Sequence, residues 1–60
     1  MNLEPLFKAL DSAKFATQEL RDALKSASAV EALVILPMIA DAARLQQQIG
    51  HVIAAAESKE

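Results

Sequence analysis

The chain has 60 residues, no cysteine, one histidine and a net charge of −2, which rules out disulfides and leaves a structural metal short of ligands. A chain this short buries only about 60% of the surface its unfolded form exposes, so association is the remaining way to gain stability. The slight acidity gives no general attraction for nucleic acid or an anionic membrane.

Thirteen alanines, one glycine and two prolines favour a few long helices over many short elements. The opening MNLEPLF lacks a basic segment leading into an apolar core, so no secretory signal is expected. The longest uncharged apolar run, residues 32 to 40, is far short of the ~20 residues a membrane span requires. A cytoplasmic protein without membrane contact is the expectation, organised as a single domain over residues 1–60.

The first element is read over residues 3 to 26. Leu3, Leu6, Leu10, Ala13, Thr17, Leu20, Leu24 and Ala27 recur in alternating steps of three and four, the rhythm of one helical face. Asn2 is a plausible cap, and Pro5 falls in the first turn, where a missing N–H costs nothing. Glu4 with Lys8 and Asp22 with Lys25 are spaced for ion pairs on the polar side. Ser28-Ala29-Val30-Glu31 then has the form of a capping box, and so short a connection makes the helices antiparallel neighbours.

The second helix is read over residues 29 to 57, its seam running through Ile35, Met38, Ala42, Leu45, Ile49, Val52 and Ala56. Gln47 faces water, and Gln46 and Gln48 flank that seam, read as exposed polar filler of good helix propensity, with amides bonding across an interface as the alternative. Gly50 costs about 1 kcal/mol relative to alanine, so it either admits a close backbone or marks loosely held last turns. Ser58, Lys59 and Glu60 are expected to fray.

Leu33, Leu36, Pro37 and Ala40 occupy the opposite side of the second helix, with Val30, Val34 and Ile39 on its flanks. Its first turns are thus apolar all round, which one partner helix cannot cover. Pro37 must end or kink the helix, and a seam that stays in phase across it favours the kink. Phe15 lies off the leucine seam, and folding about residues 27 and 28 places it near the level of Ala40. Phe7, beside the seam, is assigned to the hairpin core.

Catalytic chemistry finds no foothold. There is no Ser-His-Asp arrangement, phosphate loop or HExxH motif, and His51 is read as a solvated surface residue, so no enzymatic activity, cofactor or metal is expected. Lys14, Arg21 and Lys25 line one side of the first helix but alternate with Asp11, Glu19 and Asp22. No Tyr or Trp offers a base-stacking platform, which disfavours nucleic acid.

The expected fold is therefore an all-α antiparallel helical hairpin, kinked at Pro37, that assembles into a four-helix bundle or higher oligomer. Leu10, Leu20, Leu24, Ile35, Met38, Leu45, Ile49 and Val52 would form the core and self-association residues. Phe15, Leu33, Leu36, Pro37 and Ala40 would engage another protein. The corresponding function is a small interaction module: an adaptor, inhibitor or assembly factor. Such a dimer resembles in architecture the Rop-like RNA-binding helical dimers, without a shared motif, and that resemblance implies RNA binding as the alternative.

Overall fold

The computed structural model describes residues 2–58 and contains two helices, α1 (Glu4–Lys25) and α2 (Ala29–Ser58). They pack side by side as an antiparallel hairpin with Cα extents of 48 × 15 × 11 Å. At 1.5 Å per residue a 30-residue helix spans about 45 Å, so α2 alone sets the long dimension.

Each helix starts where its polar residues can satisfy free backbone donors. Asn2 Oδ1 accepts from the Glu4 N–H at 3.0 Å, and Pro5 sits in the first turn. The capping box closes in both directions: Glu31 Oε1 accepts from the Ser28 N–H at 2.9 Å, and Ser28 Oγ accepts from the Glu31 N–H at 3.2 Å. At the end of α1, the Ser26 and Ala27 N–H groups bond back to the Ala23 and Leu24 carbonyls. The turn therefore needs no residue of positive φ.

The α1 seam is as read. Ala13 and Thr17 are buried, and Leu3, Leu6, Leu10, Leu20, Leu24 and Ala27 are half-buried. Labelling this seam as heptad positions a (Leu3, Leu10, Thr17, Leu24) and d (Leu6, Ala13, Leu20, Ala27) gives a frame for α2.

The α2 seam differs from expectation. Ile35, Ala42, Ile49 and Ala56 do face α1, but their companions are Ala32, Ile39, Gln46 and Ile53, not Met38, Leu45 and Val52. The latter three are 45 to 48% exposed and flank the seam in column g. From Ile35 both the three-residue and the four-residue step reach an apolar side chain, and α1 selects the second. Phe7 is likewise corrected: it lies beside the seam in column e of α1, exposed, and not in the core.

Gln46 enters the seam because a partner waits there. Its Nε2 donates to Thr17 Oγ1 at 2.6 Å, and the Thr17 hydroxyl donates to the Ala13 carbonyl at 2.9 Å. No buried side-chain polar atom of the described residues is left unpaired. A bond of this kind contributes about 1 kcal/mol net and also fixes the register of the helices.

That bond locates a length mismatch. Towards the open end, 13 residues lead from Thr17 to Glu4 and 12 from Gln46 to Ser58, so the helices match. Towards the turn, only eight residues lead from Thr17 to Lys25, against 17 from Gln46 back to Ala29. Side-chain reach absorbs part of the offset, and the rest is overhang of α2 at the closed end.

Helix α2 runs through Pro37 without ending, so there is no short middle helix. Pro37 sits in column f, directly away from α1, and is exposed together with Leu33. Water can therefore take the Leu33 carbonyl that the proline cannot serve. A Cβ at Gly50 would meet nothing within 4 Å, so no close backbone approach requires the glycine there. Ser58, the last described residue, is helical, and its Oγ donates to the Ala55 carbonyl at 3.0 Å. The fraying expected of Lys59 and Glu60 lies outside the described residues.

Candidate interaction surface

Among the described residues only Ala13, Thr17 and Ile53 are buried, and no large side chain is completely enclosed. Nine large hydrophobic side chains of the described residues are exposed: Phe7, Phe15, Val30, Leu33, Val34, Leu36, Met38, Leu45 and Val52. Their distribution follows from the heptad frame. A twofold perpendicular to the hairpin plane carries one helix approximately onto the other and keeps front as front. The g columns of both helices therefore share one face, and the e columns share the other.

The g face carries Ala9, Ala16 and Ala23 from α1 beside Met38, Leu45 and Val52 from α2. None of these six is charged. Glu19 and Asp41 lie one column further out, at the rim, where Arg44 pairs with Asp41 at 3.6 Å. The e face carries Phe7, Lys14 and Arg21 from α1 beside Leu36, Ala43 and Gly50 from α2. One face is thus uniformly apolar, and the other is mixed.

The outer columns of α2 near the turn add a third surface. Val30 and Leu33 are both 73% exposed, and Val34 and Leu36 are exposed with them. Leu33, Leu36, Pro37 and Ala40 lie on adjoining columns of α2 and form one patch. Phe15, 66% exposed, is not part of it. It occupies column f of α1, about 170° from the seam at 100° per residue, and faces the opposite way from Pro37. The five residues read as one partner face are therefore divided between the two outer sides of the hairpin.

The electrostatics are those of a solvated surface. Lys8 pairs with Glu4 at 3.4 Å and Lys25 with Asp22 at 3.5 Å, all well exposed. Of the three basic residues that carry the nucleic-acid alternative, Lys25 is thus engaged by a carboxylate. The Glu31 carboxyl is held below its ordinary range, chiefly by the Ser28 N–H and secondarily by the Ser28 hydroxyl, with a slight opposing effect of desolvation.

Among the described residues, no cluster of three His, Asp or Glu is placed to hold a metal, and no helix is long and apolar enough to cross a membrane. Sequence reasoning allowed Gln46 a bond across an interface but missed that it lies in the seam with Thr17 as partner, although two polar residues at seam spacing, one per helix, signal it. No protein-family model, curated protein or solved structure matches this chain.

Proposed function

We propose that the chain is a small non-enzymatic protein–protein interaction module: a cytoplasmic helical hairpin that associates with itself into a four-helix bundle and offers a further apolar surface to another protein, as an adaptor, inhibitor or assembly factor. The observation that carries the reading is the imbalance between three buried residues and nine exposed large hydrophobic ones. Scattered surface hydrophobes need no explanation, but contiguous apolar patches mark interaction sites.

The Leu33, Leu36, Pro37 and Ala40 patch suits a hydrophobic groove on a partner, read by helix anchors at three- and four-residue spacing. A bend at Pro37 would tilt this patch relative to the rest of the bundle. Phe15, on the far side of α1, serves as a separate anchor.

Two measurements test the reading. Light scattering on the purified chain should give a mass above 6.4 kDa at micromolar concentration, and a folded, helical monomer overturns self-association. Affinity capture from the native host should retain a protein that Leu33→Asp loses while keeping its helicity. Equal capture by both chains overturns the partner patch.

A further inference from the structure

We propose that a second copy of the chain covers the g face, related by a twofold axis parallel to the helices, so that the Met38, Leu45 and Val52 ridge of each copy lies over the Ala9, Ala16 and Ala23 trough of the other. This rests on the self-association reading above and names its surface and symmetry.

The register of the hairpin carries the argument. Ala16 and Leu45 immediately precede Thr17 and Gln46, whose side chains are bonded at 2.6 Å. They therefore sit at about the same level on the face. Steps of seven residues in opposite directions then bring Ala9 level with Val52 and Ala23 level with Met38. At every level the face presents one small side chain beside one large one.

A twofold parallel to the helices exchanges the two columns, so each large side chain of one copy meets an alanine of the other. It also makes every adjacent pair of helices antiparallel, the arrangement of up-and-down bundles. A twofold lying in the same interface but perpendicular to the helices sets alanine against alanine and ridge against ridge. That leaves voids at some levels and overlap at others, and close-packed interfaces admit neither. The shape of the face selects the first axis.

The exposed area is enough for a dimer, and charge selects this face over the other. The chain exposes 4515 Å², whereas a compact protein of its mass exposes about 3,800 Å². Its radius of gyration is 14.3 Å, against about 10 Å for a compact chain of this length. The surplus of about 700 Å² per copy amounts to about 1,400 Å² across a dimer, within the range of stable interfaces. Covering the e face would desolvate Lys14 and Arg21, a cost that the uncharged g columns avoid.

Ala16→Leu tests the assignment, because Ala16 is exposed in the hairpin and leucine is a good helix former. Filling the trough at two symmetric points should raise the dimer dissociation constant at least about 100-fold by sedimentation equilibrium, with helicity retained. The exchange Ala16→Leu/Leu45→Ala restores large over small and should return it to within about tenfold of the parent chain. Ala43→Leu, on the e face, should leave it unchanged.

A second measurement does not depend on overpacking. A mixture of Ala16→Cys and Leu45→Cys chains, oxidised with diamide, should give the mixed disulfide in preference to either homodisulfide. A parent chain that is a folded monomer overturns both this inference and the self-association beneath it. A parent dimer that is insensitive to Ala16→Leu, not rescued by the exchange, equally weakened by Ala43→Leu, or linked through Ala16→Cys homodisulfides overturns the face or axis alone.

Discussion

The open half of the hairpin and its closed end are built from the same kinds of residue and behave oppositely. Beyond the Thr17–Gln46 bond, towards Glu4 and Ser58, the helices are matched in length, and all three buried residues, Ala13, Thr17 and Ile53, lie at or beyond that bond. Towards the turn, over residues 29–36, only the seam residues Ala32 and Ile35 are half-buried, and Val30, Leu33, Val34 and Leu36, on the other columns of α2, stay exposed although they are more apolar than much of the seam. Burial here is decided by which column faces α1, not by side-chain hydrophobicity: Ala32 and Ile35, in the same turns, face α1 and are half-buried. The open half holds the fold together, and the closed end is surface that needs something else to cover it.

The contrast is most easily broken at Ile53. Only 6% exposed, it is the most enclosed large side chain, and Ile53→Ala should cost about 2–5 kcal/mol. That is a large fraction of the stability open to so small a chain, so loss of cooperative thermal unfolding by circular dichroism is the expected result. Leu33→Ala at the overhang should change stability by no more than about 0.5 kcal/mol. Comparable losses at the two positions would mean that the closed end is packed as tightly as the open half.

Gly50 sharpens the same comparison from the other direction. It lies in the matched half, yet an added Cβ would touch nothing within 4 Å. Gly50→Ala should therefore stabilise α2 by about 1 kcal/mol through helix propensity alone, read as a rise in melting temperature with the association state unchanged. A fall would show that another chain approaches the backbone at this point.

What the sequence made legible follows the same division. In α1 the columns beside the seam carry only alanine or polar residues apart from Phe7, so the leucine seam from Leu3 to Ala27 could be read directly. In α2 the neighbouring columns are both apolar at the decisive steps: Met38 beside Ile39, and Val52 beside Ile53. Hydropathy favours Leu45 over Gln46 and so selects the wrong column. The structure resolves the tie through Thr17, a polar residue on the other helix that supplies Gln46 with a hydrogen bond. The capping box was legible because its pattern is local, four residues closing on themselves. The division of Phe15 from the Leu33 patch was not, because it depends on which way column f of each helix faces once the two seams are joined. The alanine column on the g face appeared only once both helices shared one frame.

The smallest effect concerns how the closed end is anchored with so little burial. The reciprocal Ser28–Glu31 bonds start α2 at the base of the overhang, and an ionised Glu31 also complements the positive end of the helix dipole. Because these bonds favour the charged form, the folded-state pKa of Glu31 lies below its unfolded value. The contribution is therefore fully present above the ordinary carboxylate range and is lost as pH falls through the lowered pKa. Glu31→Gln retains an acceptor for the Ser28 N–H but has no such proton to bind. Its melting temperature should lie slightly below that of the parent chain at neutral pH, and the gap should close in acid. The other carboxylates are common to both chains and cancel in the comparison. A gap that persists unchanged at low pH would mean that Glu31 acts through hydrogen-bond geometry alone and that charge has no part in holding the closed end.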